Sequence, residues 1–204
     1  MSSTVSQTQE HRDRNAADLV AARRAAGGDR AAKRQLAGRL LERVRATTRY
    51  LSANDRDRDD WVQLSLLEIL ASLGSFRGNS SLEKWADRIT VRTVMRLLKQ
   101  RRRREQKVSL IPEPLPEMLT TAGPSFEELL IRERVAEHLS ALEPDNRAVV
   151  VLKLVHGYKV DEIAELVGAP RDTVKGRLKR GRRRLKEQFA NDSVLAHLLN
   201  EEKS

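Results

Sequence analysis

Hydrophobic residues recur along this chain at intervals of three and four, the spacing that places side chains on one face of an α-helix. The clearest run lies between residues 30 and 51, and its repeating positions are Leu36, Leu40, Leu41, Val44 and Leu51. Similar runs predict helices over 16–26, from the acidic stretch 55–60 to Gly74, and over 82–104. Residues 1–15 are polar and are predicted to form a disordered tail. The pattern therefore predicts an all-α fold.

The helical pattern stops after Arg104 and resumes at Phe126. Between them lie Pro112, Pro114, Pro116, Gly123 and Pro124, which exclude a continuous helix. Residues 105–125 are therefore predicted to be a linker. Further helices are predicted over 126–142 and from Pro144 to about Gly157. The sequence thus predicts two small helical domains, 16–104 and 126–189, and leaves residues 190–204 as a C-terminal tail that packs, binds a regulator or does neither.

Residues 160–180 have the pattern of two helices joined by a sharp turn. Gly168 permits the turn, and Pro170 can precede a new helix. The residues predicted to face inward are Ile163, Ala164 and Val167 in the first helix and Val174 and Leu178 in the second. An ordinary helical hairpin would share this pattern, but it would not explain the nine basic residues between Arg171 and Glu187. A DNA-binding helix-turn-helix is therefore favoured.

The positive charge of the chain is concentrated in two segments. The 39 Lys and Arg exceed the 29 Asp and Glu by ten, yet residues 84–104 and 171–187 each contain nine basic residues, with one and two acids respectively, so the remainder is net acidic. In the first segment Arg88, Arg92, Arg96, Lys99 and Arg103 fall on one helical face. Clustered Lys and Arg attract phosphates, although charged runs are often only solvated helix faces. Two separate contacts with a polyanion are predicted.

Several classes of protein are excluded or disfavoured. The chain has no Cys, so neither a disulfide framework nor a Cys-based zinc site is possible. Its longest apolar run, Ala148 to Leu152, is far shorter than the roughly 20 residues that span a bilayer. The polar N-terminus lacks the apolar core of a signal peptide, which predicts a cytoplasmic, nucleoid-associated protein without membrane insertion. No metal-ligand cluster or phosphate-binding Gly loop is evident, so no metal, no cofactor and no enzymatic activity are expected.

Two stretches resemble one family of bacterial proteins in the same order. Residues Asp57–Gln63 before an apolar helix, then Ser75–Trp85 and a basic helix, resemble region 2 of the sigma-70 family of RNA polymerase sigma factors. Residues Leu142–Arg184 resemble region 4 of that family. The resemblance covers about 16–104 and 127–188, and it is closest to the extracytoplasmic-function (ECF) group, with a linker where larger sigma factors have a third domain.

The resemblance implies a dissociable specificity subunit that directs promoter-specific transcription initiation. Its expected partners are core RNA polymerase, through the clamp helices and the flap, promoter DNA and an anti-sigma factor. The implied core-binding residues are Asp60, Gln63, Leu64 and Leu67. The residues implied at the −10 element are Phe76, Gly78, Asn79, Ser80, Ser81, Trp85, Arg88 and Arg92. Those implied at the −35 element are Arg171, Thr173, Lys175, Gly176, Arg177, Lys179 and Arg180.

The chemistry of the −10 segment is compatible with this role. A base flipped from the stack needs a small polar pocket, and the segment 78–81 offers backbone, amide and hydroxyl groups. A melted strand needs charge and a stacking surface, which Arg88, Arg92 and Trp85 can supply. On the residues alone, a capped turn between helices explains 75–81 equally well, and a core position explains Trp85 equally well.

The sequence also departs from the family pattern. Arg92 and Arg96 stand where many relatives have Asn and Asp, and Gly176 often is Ser, so a promoter sequence cannot be transferred. One alternative is a helix-turn-helix regulator that acts without polymerase, which would leave the Asp57–Leu70 helix with no role beyond packing. A less favoured alternative is a DNA recombinase, which the scattered positions of His11, His138, His156 and His197 do not support.

Overall fold

The computed structural model describes residues 2–52, 57–105, 126–192 and 195. These residues form eight α-helices and no β-strand, which confirms the all-α prediction. In chain order the helices are α1 (Ser2–Ala26), α2 (Arg30–Ser52), α3 (Arg58–Ser72), α4 (Leu82–Glu105), α5 (Phe126–Ser140), α6 (Pro144–Val150), α7 (Val160–Val167) and α8 (Arg171–Ala190). A 3₁₀ turn, Leu73–Ser75, follows α3, and a π-helical turn, Val151–Val155, follows α6.

The first helix begins earlier than the sequence predicts. Residues 2–15, expected to belong to a disordered tail, are the first part of α1. The segment 2–26 contains neither Gly nor Pro, so nothing in it interrupts helical hydrogen bonding. The helix ends at Ala26, and two glycines follow, of which Gly28 has a φ of 101°. The prediction failed because it relied on apolar periodicity, which the polar residues 2–15 lack.

Asp29 separates α1 from α2 and caps the second helix. Its Oδ1 accepts hydrogen bonds from the N–H groups of Ala31 at 2.9 Å and Ala32 at 3.0 Å. Arg24 at the end of α1 donates to Oδ2 of the same carboxylate at 2.7 Å. The hydrogen bond from Ala32 and the one from Arg24 lower the pKa of Asp29. One carboxylate thus joins the end of one helix to the start of the next.

The helices belong to two compact units, Met1–Thr48 with Asp59–Val94 and Arg49–Arg58 with Met95–Ser204. The division after Val94 differs from the predicted domain end at Arg104, because the last part of α4 belongs to the second unit. Of the predicted linker, 105–125, only Glu105 is described, and it ends α4. The other linker residues lie outside the described part of the chain.

The core of the first unit consists of aliphatic side chains from α1 to α4 and of Phe76 after the 3₁₀ turn. Its fully buried members include Ala22, Leu40, Ile69, Leu73 and Leu82. Two arginines of α2 join this helix to its neighbours. Arg39 binds Asp18 of α1 and Glu83 of α4, and Arg43 binds Asp87 of α4 at 2.7 Å. Because Asp18 and Asp87 are buried, these pairs fix how α1, α2 and α4 are arranged.

In the second unit, α6 packs against α8, and a buried arginine holds the preceding loop. The guanidinium of Arg147 donates to the carbonyl oxygens of Ser140 at 2.8 Å and Leu142 at 3.1 Å. The described part of the C-terminal tail packs on α5. The buried carboxylate of Asp192 lies 2.6 Å from Nε2 of His138, and the N–H of Leu195 donates to it at 3.3 Å.

No helix in the described residues is both long enough and apolar enough to cross a membrane. Nor do the described residues bring together three or more side chains of the kinds that ligate metal ions.

Candidate nucleic-acid interface

The helix-turn-helix predicted from the sequence is formed by α7 and α8. The backbone N–H of Lys159 donates to Oε2 of Glu162 at 2.8 Å, which closes the start of α7. Gly168 ends the helix in the left-handed conformation, with φ 63° and ψ 40°, and the next N–H, that of Ala169, donates to the carbonyl of Ala164 at 3.1 Å. Pro170 then precedes α8, and its carbonyl accepts the N–H of Val174 at 3.0 Å. The turn therefore uses Gly168 and Pro170 as predicted.

One face of each of these two helices is buried. In α7 the buried residues are Ile163 and Leu166, whereas Ala164 and Val167 are only half-buried. The prediction was correct for Ile163 but wrong in choosing Val167 over Leu166, which lies three positions after Ile163. In α8 the buried residues are Val174, Leu178, Gly181 and Leu185, so both predicted inward residues are confirmed.

Gly181 is a structural requirement that the sequence analysis missed. A Cβ added at Gly181 would lie 2.5 Å from Cγ2 of Val150 in α6. Such a distance is far inside van der Waals contact, so α8 approaches α6 to a distance that only glycine permits. The signal available in the sequence was its position, three residues after Leu178 on the apolar stripe.

The outward face of α8 carries most of the side chains expected at the −35 element. Arg171, Thr173, Lys175, Lys179 and Arg180 are exposed, whereas Gly176 is half-buried. Lys175 and Lys179 are one turn apart and share a face.

Arg177 differs from this group, because its side chain is only 21% exposed and pairs with Asp145 in the first turn of α6. Arg177 therefore lies at the flank of α8 and does not belong to its outward face.

Two more basic residues of α8 also have acidic partners. Nε of Arg171 lies 2.6 Å from Oδ1 of Asp161 in the first turn of α7, and Nζ of Lys175 lies 3.2 Å from Oδ1 of Asp172. None of the three acids was predicted from the sequence to be functional. Asp161 and Asp145 lie on other helices and become neighbours of α8 only through the fold.

The second basic surface lies on α4. Arg92, Arg96, Lys99 and Arg103 are exposed, as the helical count predicts. On the other side of the helix, Thr90, Val91, Thr93 and Val94 are buried, and the hydroxyl of Thr93 donates to Glu68 of α3 at 2.5 Å. Arg88 is half-buried. The helix therefore combines a packed face with a basic face, in the arrangement that the sequence indicates.

The segment between α3 and α4 requires one correction. Phe76 was expected at the −10 element, but its side chain is 2% exposed and belongs to the core. Its ring centroid lies 5.4 Å from that of Trp85, which is half-buried and packs on the same core. A buried Phe cannot contact a base without unfolding of the segment, so Phe76 anchors the segment instead.

The rest of this segment contains a helix cap at Ser81 and a glycine in the left-handed conformation at Gly78. Oγ of Ser81 accepts the N–H of Lys84 at 3.2 Å, so this hydroxyl caps α4. Gly78 has a φ of 73°, and a Cβ added there would lie 3.7 Å from Cδ2 of Leu19 in α1. Asn79 is exposed and Ser80 is half-buried. The capped-turn reading is therefore correct for Ser81, and Asn79 offers an accessible polar side chain.

The four residues expected to bind core polymerase lie together on one exposed face of α3. Asp60 and Gln63 are exposed, and so are Leu64 at 42% and Leu67 at 62%. The opposite face contains the buried residues Trp61, Val62, Ser65 and Ile69. Two exposed leucines one turn apart form an apolar surface flanked by polar groups, as protein-binding surfaces do.

Residues 132–185 match the family model "Sigma-70, region 4". The ECF RNA polymerase sigma factor SigM of Mycobacterium tuberculosis is 31% identical over 173 residues, which cover 85% of this chain and 84% of SigM. The chain belongs to the ECF sigma factors. It is thus a sigma factor that directs transcription initiation, as the sequence predicted.

Two other relatives agree with this assignment. The ECF RNA polymerase sigma-E factor of Haemophilus influenzae is 28% identical over 181 residues, covering 84% of this sigma factor and 95% of the relative. The ECF RNA polymerase sigma factor SigE of Mycolicibacterium smegmatis is 29% identical over 175 residues, covering 82% of this chain and 66% of that protein.

Two solved structures share the fold. CnrH, in complex with the cytosolic domain of CnrY, aligns with a TM-score of 0.59 and 26% identity over 87% of this chain and 99% of CnrH. The sigma factor RpoE of Bartonella quintana, in complex with the anti-sigma factor NepR, aligns with a TM-score of 0.61 and 24% identity over 78% of this sigma factor and 97% of RpoE.

Proposed function

We propose that this sigma factor binds core RNA polymerase through the exposed face of α3 and promoter DNA through two separate surfaces on α4 and α8. The observation that carries the proposal is the helix-turn-helix of α7 and α8, whose second helix presents exposed Lys175 and Lys179 within the region 4 match. Recognition helices of this kind place their N-terminal residues against base edges in the major groove. We assign the −35 element to this surface.

At the −35 element, Lys175 and Lys179 are the proposed base-reading residues. They are exposed, they are one turn apart, and lysine can donate to the acceptors that guanine presents in the major groove. Thr173 and Arg180 are also exposed. Arg177 is assigned to α6–α8 packing because its guanidinium is mostly buried against Asp145.

At the −10 element, Asn79 and Ser80 are the proposed contacts with a flipped base. Phe76 and Trp85 fix one end of their segment, and the cap formed by Ser81 fixes the other. A rigid segment loses little entropy when a base binds, so the pocket can compensate for part of the unstacking cost. The exposed basic face of α4, with Arg92, would hold the backbone of the melted strand, and the half-buried Arg88 and Trp85 lie beside it.

The proposed core-binding surface consists of Asp60, Gln63, Leu64 and Leu67. Leu64 and Leu67 remain exposed although α3 has a fully packed opposite face, so their exposure is not required by the fold. Burial of an exposed leucine is worth about 1.5–3 kcal/mol when complete. The clamp helices of the polymerase are the proposed partner of this face, and the flap is the proposed partner of the second unit.

We also propose an anti-sigma factor as a partner, because the aligned RpoE structure is a complex with one. The chain is proposed to act in the cytoplasm, on the nucleoid, as a regulatory subunit and not as an enzyme.

The direct test is reconstitution with core RNA polymerase on duplex templates randomised across both promoter elements. Transcripts are expected only when the sigma factor is present, and their templates should be enriched in one pair of motifs. Tight, sequence-specific binding of both elements by the chain without polymerase would instead indicate a stand-alone regulator. A failure to change the transcripts made by core polymerase would reject the proposal.

A further inference from the structure

Charge is divided unequally along α8. From Arg171 to Leu178 the helix has three basic residues, Arg171, Lys175 and Arg177, and one acid, Asp172. From residue 179 to residue 186 it has six basic residues and no acid, namely Lys179, Arg180, Arg182, Arg183, Arg184 and Lys186. The end of the helix that faces bases in a helix-turn-helix is therefore the less basic end.

The fold neutralises this end further. Arg171 pairs with Asp161 of α7 at 2.6 Å, Arg177 pairs with Asp145 of α6, and Lys175 pairs with Asp172 at 3.2 Å. Every basic residue of the first half thus has an acidic partner, and the three pairs have no net charge. In the second half, Arg183 and Arg184 share one acidic partner, Glu187, at 3.8 and 3.7 Å. The other four, Lys179, Arg180, Arg182 and Lys186, have no acidic partner in the part of the chain that the structure describes.

Stability alone does not account for the pair between Arg171 and Asp161. The two side chains are 61% and 59% exposed, and such solvated pairs contribute little to stability. The helix dipole favours an acid in the first turn of α7, but Glu162 already occupies that turn and closes it. A contact at 2.6 Å with the first residue of the recognition helix is thus not explained by the folding of α7.

Neutral pairs change how the helix responds to DNA. A cation that neutralises a phosphate releases condensed counterions and favours every DNA sequence equally. An arginine that is already paired with a carboxylate contributes little to that attraction, and the carboxylate repels nearby phosphates. Attraction that is independent of sequence is then confined to the second half of α8.

We propose that Asp161 is a specificity-determining residue of the recognition helix. By pairing with Arg171, it helps to keep the base-facing end of that helix neutral, so that base contacts and not phosphate charge decide binding there. This inference rests on the proposed recognition of the −35 element by α8. In the promoter complex base contacts fix the register of the helix, so an Arg171 freed from Asp161 gains a phosphate contact in complexes with other sequences, where that register is absent. Loss of Asp161 should therefore strengthen binding to non-promoter DNA and reduce discrimination between promoter and other sequences.

The first test measures binding of the full chain to random-sequence duplex DNA as a function of salt. If Asp161→Asn frees Arg171 for one phosphate, the slope of log K against log salt becomes steeper by about 0.9, which corresponds to roughly 8-fold tighter binding at 0.1 M salt. Circular dichroism establishes that each variant keeps its helices.

The matched control is Glu165→Gln, which removes one negative charge from the same helix α7. Glu165 is exposed and has no basic partner among the described residues. Its variant should leave the salt slope unchanged. An equal increase in Glu165→Gln and Asp161→Asn would mean that net charge and not the pairing controls binding, and this would overturn the proposal.

The second test selects −35 sequences from a randomised pool with holoenzyme reconstituted from the wild type or from Asp161→Asn. The same motif is expected from both, but its preference over random sequence should be about 8-fold smaller in the variant. If the wild-type holoenzyme selects no motif, the proposed −35 recognition itself fails. If it selects one and the variant matches it in both preference and random-DNA affinity, only the role of Asp161 fails.

Discussion

Gly181 of α8 faces Val150 of α6 so closely that a Cβ at Gly181 would lie 2.5 Å from Cγ2 of Val150. This contact sets the distance between the recognition helix and the helix that supports it. Glycine inside a helix costs about 0.5–1 kcal/mol relative to alanine. Gly181 therefore lowers the intrinsic stability of α8 but allows the close packing of α8 on α6.

Substitution of this glycine should therefore destabilise the second unit. Gly181→Ala is expected to lower the free energy of unfolding by about 1–3 kcal/mol, the usual cost of an overpacked core. Urea unfolding monitored by circular dichroism measures it. Gly176→Ala is the matched control in the same helix, because its added Cβ would meet only the flexible end of Arg180 at 3.4 Å. An equal effect of both variants would contradict a role for the Val150 contact.

The exposed leucines of α3 should contribute to polymerase affinity without contributing to stability. Leu64→Ala combined with Leu67→Ala is expected to weaken binding to core polymerase at least 10-fold, because complete burial of a leucine is worth about 1.5–3 kcal/mol. Affinity is measured by titration of labelled sigma factor, and the melting temperature is measured in parallel. Val20→Ala is the control, since Val20 is also 59% exposed but lies on α1. Unchanged core affinity in the double variant would argue against the assignment.

Substitution of the lysines of the recognition helix should weaken DNA binding by an amount that depends on the DNA sequence. Lys175→Ala and Lys179→Ala are each expected to cost about 1–3 kcal/mol of holoenzyme binding at the selected −35 sequence if they read bases. Arg182→Ala is the comparison, because this residue is exposed in the second half of α8, has no acidic partner among the described residues and should bind only phosphate. Its loss should be the same on scrambled −35 sequences. If the lysine variants lose as much affinity on scrambled sequences as on the selected −35 sequence, these lysines do not specify the promoter.

The segment before α4 should affect DNA opening and not docking. Asn79→Ala with Ser80→Ala is expected to reduce transcription from a duplex promoter, since the variant loses contacts that offset the few kcal/mol of unstacking. A template mismatched across the −10 element has no such cost and should restore much of the activity. The ratio of transcripts from the two templates is the measurement. An equal defect on both templates would mean that these side chains act in folding or in core binding.

The pair between Arg39 and Glu83 should make stability depend on pH. Burial raises the pKa of Glu83, but the hydrogen bond and the charge of Arg39 outweigh burial, so the pKa of Glu83 in the folded state lies below its ordinary value. The stabilisation is therefore complete above the unfolded-state pKa, and it is lost as the pH falls through the folded-state pKa.

Melting temperatures between pH 3 and 7 test this relationship, because this range spans the ordinary pKa of a Glu side chain, about 4.3. Glu83→Gln should be less stable than the wild type at pH 7, and this difference should shrink on acidification. Glu165→Gln, at an exposed position, should follow the wild type at every pH. A difference for Glu83→Gln that is independent of pH would exclude the ion pair as its cause.

The sequence by itself determined the features that depend on local periodicity and on single turn residues. Gly168 and Pro170 define the helix-turn-helix because left-handed backbone and a helix start are properties of those residue types. The basic face of α4 and the exposed face of α3 follow from counting along a helix. The ECF group could be recognised for the same reason, since its two motifs are contiguous stretches of chain.

Only the tertiary structure decided which side chains meet across helices. Phe76 and Asn79 are neighbours in one polar stretch, yet the first is in the core and the second is exposed. Arg177 has the same residue type as Arg171, but only Arg177 is mostly buried by its partner. The proximity of Gly181 to Val150 and of Asp161 to Arg171 depends on the angle and distance between helices. Those quantities result from packing of side chains far apart in sequence, which no local pattern records.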